Sequence, residues 1–245
     1  MPIKKRSIAT KEVGTHSVDE VVATLKRMSS KKVRDGMARF AIPSENAFGV
    51  PVGEMRMLAK GLGQHHDLAL GLWETGWYEA RMVATFLDDP GQVTPAQMDR
   101  WCRQFDSWAI CDSACFALFD RTPYAWRKVD QWATKRAEFV KRAAFALLAS
   151  LTVHDKQADD DNFAHGLELI ERAACDEQNF VKKAVNWALR SIGKRNRALN
   201  ALSIGVAERL AVSDEATPRW IGKDALRELK GESVKHRLSK KTLDR

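Results

Sequence analysis

The chain of 245 residues contains only four cysteines, Cys102, Cys111, Cys115 and Cys175, and no C-x-x-C pair. So few thiols exclude a disulfide framework and fit a reducing compartment. Cys102, Cys111 and Cys115 have no histidine close by in sequence, so no metal site is expected. Long apolar runs are missing as well. The most apolar stretch, 143–153, falls far short of the roughly 20 residues that a membrane-spanning helix requires. The N-terminal MPIKKRSIATKEVG carries charge without an apolar core behind it, which does not read as a secretory signal. A cytoplasmic protein with no membrane partner is the expectation. Alternating strand patterns are also lacking: from Val18 onward apolar residues recur three and four positions apart, which predicts an all-α chain.

What is present is a normal core-forming content, 44% hydrophobic, under a basic balance of 40 Lys+Arg against 32 Asp+Glu, a formal net charge of +8. That charge favours polyanionic partners, nucleic acid first, without naming one. The periodicity predicts helices near 18–28, 32–40, 52–63, 66–75, 77–88, 95–105, 107–119, 124–133, 137–152, 159–174, 178–192, 197–211 and 216–229. Residues 1–15 and about 230–245 are polar and basic and read as surface or disordered tails around a single domain, 16–230.

Many short helices without strands need an organising principle, and an internal repeat supplies one. Phe139-Val140-Lys141-Arg142-Ala143 lines up with Phe180-Val181-Lys182-Lys183-Ala184 at an offset of 41 residues, identical at four of five positions. Leu148 and Leu189 keep the offset, and Tyr78-Glu79-Ala80-Arg81 opens a helix in a related way. A HEAT-like solenoid with a concave basic face is therefore expected, its neighbouring helix pairs sharing one core.

Stacking equivalent helices would set Arg142 and Lys183 along one wall, a spacing suited to tracking phosphates. Lys141, Lys182, Arg190, Lys194, Arg195 and Arg197 add to the expected positive density. Trp187 lies one turn beyond Lys183 where the repeat equivalent is Ala146, which suggests an indole exposed in the groove rather than in the core. Trp108 and Asp112, four apart, share a helix face just after a capping Ser107. For an isolated pair of this kind, a buried indole and a salt-bridged carboxylate are the ordinary reading.

Taken together, these segments resemble the AlkD-like DNA alkylation repair glycosylases, which are built from HEAT-like repeats. The resemblance rests on Ser107-Trp108 with Asp112, on the helix from Phe139 to Ala144, and on Phe180 to Ala184 with Trp187 to Arg190. Met37 to Phe40, Phe48-Gly49-Val50 and Met55-Arg56 to Lys60 resemble the family's N-terminal helices. It implies that Trp108, Asp112 and Trp187 are catalytic, two tryptophans flanking a carboxylate. It also implies that Arg142 meets the DNA backbone; Lys141 and Lys183, read from the repeat, complete the expected DNA-binding set with Phe40, which stands where the family carries a tyrosine and so lacks that hydroxyl contact. No histidine is expected at the site.

The implied reaction suits these residues. A purine alkylated at N3 or N7 is already cationic and leaves as a neutral base without a general acid. A carboxylate then stabilises the charge developing on the deoxyribose, and indole faces attract a cationic nucleoside. The expected protein is a monomeric, cofactor-free glycosylase releasing 3-methyladenine and 7-methylguanine from double-stranded DNA. The alternatives are a non-catalytic HEAT-repeat binder of damaged or branched DNA and, more remotely, a protein-interaction scaffold.

Overall fold

The computed structural model describes residues 16–243, so the expected N-terminal tail, 1–15, lies outside the described residues. Fourteen α-helices and two short 3-10 turns occur among the described residues. The helices are α1 (Val18–Arg27), α2 (Lys31–Met37), α3 (Val52–Leu62), α4 (His66–Glu74), α5 (Tyr78–Leu87), α6 (Pro95–Arg103) and α7 (Trp108–Ala117). They continue as α8 (Ala125–Ala133), α9 (Glu138–His154), α10 (Asp160–Ala173), α11 (Asn179–Gly193), α12 (Arg197–Ala211), α13 (Ala216–Leu229) and α14 (Glu232–Leu243). No helix among them is long and apolar enough to cross a membrane.

Local chemistry sets many of the starts. Ser17 and Glu20 form a reciprocal capping box on α1, Thr94 caps α6 ahead of Pro95, and Asn196 caps α12. Ser107 accepts from the Ile110 N–H, as the sequence implied, and so fixes where Trp108 enters α7.

The helices stack in two layers. One layer runs α3, α5, α7, α9, α11, α13, each packed on the next, and α8, α10 and α12 back it on the other side. The 41-residue offset is visible as a contact: the repeat-equivalent rings of Phe139 and Phe180 stack with centroids 5.3 Å apart. At the centre lies α9, flanked by α7, α8 and α11, and every residue from Arg142 to Thr152 is buried. This explains why the most apolar stretch belongs to a core helix. Small residues permit the closest approaches; a Cβ on Gly222 would stand 2.3 Å from the Ala211 nitrogen, where α13 crosses α12.

Two differences from the sequence reading have clear causes. The helix expected over 32–40 stops at Met37 and tightens into a 3-10 turn, Ala38–Phe40, ending at Ala41 with φ 52°. The segment that follows is held by a buried carboxylate: Glu79 accepts from the backbone N–H groups of Phe48, Gly49 and Val50 at 2.7–3.2 Å. Gly49 is required there, since its φ is 85° and a Cβ would lie 2.3 Å from the Ser30 carbonyl oxygen. Second, the stretch read as a C-terminal tail forms α14, because Val234 and Leu238, one turn apart, are buried. Two apolar side chains among charged ones are too sparse a pattern to stand out in sequence.

Candidate functional site

The 3-10 turn at Phe40 and the first turns of α7, α9 and α11 enclose a cleft of about 410 Å³. Its walls include Arg39, Phe40, Trp108, Arg142, Phe180 and Lys183. The stack thus gathers four of the residues singled out in the sequence: Phe40, Trp108, Arg142 and Lys183. The Trp108 indole N–H donates to the Phe40 carbonyl at 2.7 Å, so a contact spanning 68 positions in sequence fixes the indole's edge. The Phe40 side chain is 64% exposed at the mouth.

Asp112 meets Arg142 behind this rim. The Arg142 Nε–H donates to Asp112 Oδ1 at 2.9 Å and Nη2–H to Oδ2 at 2.7 Å, a two-point pairing between α7 and α9. A third donor, Nη1–H, reaches the Phe180 carbonyl at 2.9 Å, tying α11 into the same node. The two side chains are 7% and 19% exposed for Arg142 and Asp112. Burial pushes the Asp112 carboxyl above its usual range, against the opposing pull of Arg142. For Arg142 burial works against the charge, but the neighbouring carboxylate outweighs it and holds the guanidinium more firmly protonated.

Roles expected from sequence are redrawn here. Arg142, read as an open contact to the DNA backbone, is buried with three donors already committed; two N–H groups of its five are left over. Lys141 does not line the cleft, and its Nζ pairs with Asp176 at 2.5 Å. Arg190 and Lys194 share Glu228 at 2.6 Å, and Arg195 donates to the carbonyls of Thr152 and Ala158. The free cationic groups on the cleft are Arg39 and Lys183.

Trp187 lies outside the cleft lining, one turn beyond Lys183, and is half-buried instead of standing free in a groove. Its ring stacks on Phe116 with centroids 5.0 Å apart and planes 3° from parallel. Phe116 continues the face of Trp108 and Asp112 by one more turn of α7, so the two aromatic rings meet from α7 and α11 across α9. Sequence reasoning missed Phe116, although the series Trp108, Asp112, Phe116 at four-residue spacing was its available signal. A histidine is also nearer than expected: the His154 ring packs edge-on against Phe116 at 5.9 Å, and its Nδ1 is hydrogen-bonded to buried Asp120. His154 is nonetheless twelve residues along α9 from Arg142, roughly 18 Å at 1.5 Å per residue.

Taken with the stacked helix layers, this constellation places the protein among helical-repeat proteins that carry a charged, aromatic-lined cleft. Residues 21–229 match the profile of the DNA alkylation repair enzyme family, and the chain belongs to that family. No curated protein matches it significantly. Among solved structures it is similar to one described as "a new family of proteins related to the HEAT-like repeat DNA glycosylases with affinity for branched DNA structures". The TM-score is 0.77 at 18% identity, over 91% of this chain and 96% of the other. A designed armadillo repeat protein aligns with TM-score 0.40 and 13% identity over 89% of this chain and 96% of that one. The fold is a HEAT-like solenoid.

Proposed function

We propose that the protein is a DNA glycosylase that hydrolyses the N-glycosidic bond of cationic alkylpurines, 3-methyladenine and 7-methylguanine, in duplex DNA. The observation that carries this reading is a half-buried, oriented carboxylate, Asp112, on the helix face it shares with Trp108 and paired with Arg142, which lines a cleft with free cations. Duplex DNA lies along the cleft with backbone phosphates on Lys183 and Arg39 and on the uncommitted N–H groups of Arg142. The exposed Phe40 ring packs against the strand. Arg142 then has a second task, holding both Asp112 oxygens in a fixed orientation.

The lesion supplies its own positive charge, so bond cleavage needs no proton donor. As the base departs, charge moves to the deoxyribose, and Asp112 stabilises it and orients the attacking water. Trp108 and Trp187 present π faces to the cationic nucleoside, worth about 0.5–2 kcal/mol each depending on desolvation. Phe116 covers one face of Trp187.

A second reading, a non-catalytic binder of branched or damaged DNA, is favoured by one observation: the Asp112 charge is compensated at close range by Arg142. The two part on a single assay. Methylated duplex DNA is incubated with the protein and free bases are separated by chromatography. Release of 3-methyladenine and 7-methylguanine by the wild type, and its loss in Asp112→Asn at unchanged duplex affinity, is the expected result. Binding without release rejects the glycosylase.

A further inference from the structure

A second cavity, of about 730 Å³, lies between the C-terminal ends of α6 and α8 and the first turn of α9. Trp132, Cys102 and Val140, all buried, form its apolar floor. Arg103, Lys135 and Arg136 form its rim, all three exposed and none engaged in an ion pair or side-chain hydrogen bond. By contrast, Lys141, Arg142, Arg190 and Lys194, on or just after α9 and α11, are tied to Asp112, Asp176, Asp224 or Glu228. Arg103 occupies the last turn of α6, where a helix end favours a cation, but Lys135 and Arg136 belong to the loop between α8 and α9 and to neither helix. The nearby carboxylates are already occupied. Asp99 accepts from Lys128 at 2.7 Å and from the Trp132 indole N–H at 2.9 Å, and Glu138 accepts from the Phe180 N–H at 2.9 Å. Ala137 adds no side-chain cap to the first N–H groups of α9.

The cavity is also placed next to the cleft. Val140 and Arg142 are two residues apart on α9 and thus about 200° around it, so one faces the cavity and the other the cleft. Only the thickness of a helix, roughly 10–12 Å, separates the two. An apolar floor under a cationic rim is the combination that accepts a base together with its phosphate.

We propose that this cavity holds a nucleotide of an unpaired DNA strand that leaves the cleft over the 134–137 loop, its phosphate on Arg103, Lys135 and Arg136 and its base on the apolar floor. The inference rests on the DNA-binding part of the proposed function and not on catalysis. Its test compares a forked duplex carrying one single-stranded arm with a blunt duplex of the same paired length, by fluorescence anisotropy across a salt series, with dAMP as a separate probe. Wild type should bind the fork more tightly. The triple variant Arg103→Ala, Lys135→Ala, Arg136→Ala should lose on the order of tenfold on the fork, with a salt slope lower by about one to two units, and little on the blunt duplex. Replacing the two arginines by Lys in the presence of Lys135 should restore most of the fork affinity, because charge is kept.

Base release from methylated blunt duplex, measured in parallel, should be the same for wild type and the triple variant. If wild type releases no base, the glycosylase reading fails while the fork comparison still stands. Equal wild-type affinity for fork and blunt duplex, or equal losses on both in the variant, overturns the strand site. Saturable dAMP binding without fork preference assigns the cavity to a free nucleotide and overturns it too.

Discussion

Replacing Arg142 by Ala isolates the node that joins α7, α9 and α11. Removing one member of a buried ion pair leaves the other charge uncompensated, which costs about 3–5 kcal/mol. The Asp112 side chain is 19% exposed and regains some water, which favours the lower end of that range. About 3 kcal/mol corresponds to roughly 6–12 °C in Tm for a chain of this size. The cost arises mainly from the stranded carboxylate, so Asp112→Ala combined with Arg142→Ala should be more stable than Arg142→Ala alone. The pH dependence has a definite sign. Without Arg142, the Asp112 pKa rises further above its already raised position, and acidification neutralises the group. The Tm difference from wild type should therefore shrink as pH falls from 8 to 5 and widen as it rises. Differential scanning fluorimetry of the three chains across pH gives all these quantities. An Arg142→Ala Tm within about 2 °C of wild type, or a double variant no more stable than that single one, would refute the reasoning.

Three further outcomes follow from the same geometry. Lys183→Ala should weaken binding to any duplex and flatten log K against log salt by about one unit, whereas Lys141→Ala, whose amine is held by Asp176, should leave that slope unchanged in filter-binding titrations. Base release, corrected for spontaneous depurination, should fall on acidification with a midpoint above the usual aspartate value of about 4, because burial raises the Asp112 pKa and only the ionised form serves. Phe116→Leu removes the ring that backs Trp187; single-turnover release should slow roughly 2–12-fold, the equivalent of an aromatic pair worth about 0.5–1.5 kcal/mol, with blunt-duplex affinity unchanged.

The all-helical repeat was legible because both of its signals are periodic. Apolar spacing marked the helices, and the copy from Phe139 to Ala143 at Phe180 to Ala184 marked the stack, where those phenylalanines now touch. Trp108 and Asp112 could be paired because a helix fixes which residues share a face. Contacts between helices were not legible. Nothing in the spacing says that Arg142 turns inward to Asp112 while Lys183, its repeat equivalent, stays on the cleft, or that Lys141 finds Asp176. The Trp187 reading failed in part for the same reason: a large residue replacing the repeat's alanine did signal something, but the partner that half-buries it, Phe116, comes from another helix. The path of residues 48–50 depends on a carboxylate 31 positions from one of its partners, beyond any local pattern.

In the proposed reaction this cleft releases only bases whose own charge makes them leaving groups. The most direct measurement is a single-turnover excision assay on matched duplex oligonucleotides, each bearing one 7-methylguanine, 3-methyladenine, hypoxanthine or 1,N6-ethenoadenine. Release of the two cationic purines, and none above background for the two neutral ones, is expected. Release of both classes at comparable rates would require a proton donor that the Trp108, Asp112 and Trp187 set does not provide, and would contradict the mechanism.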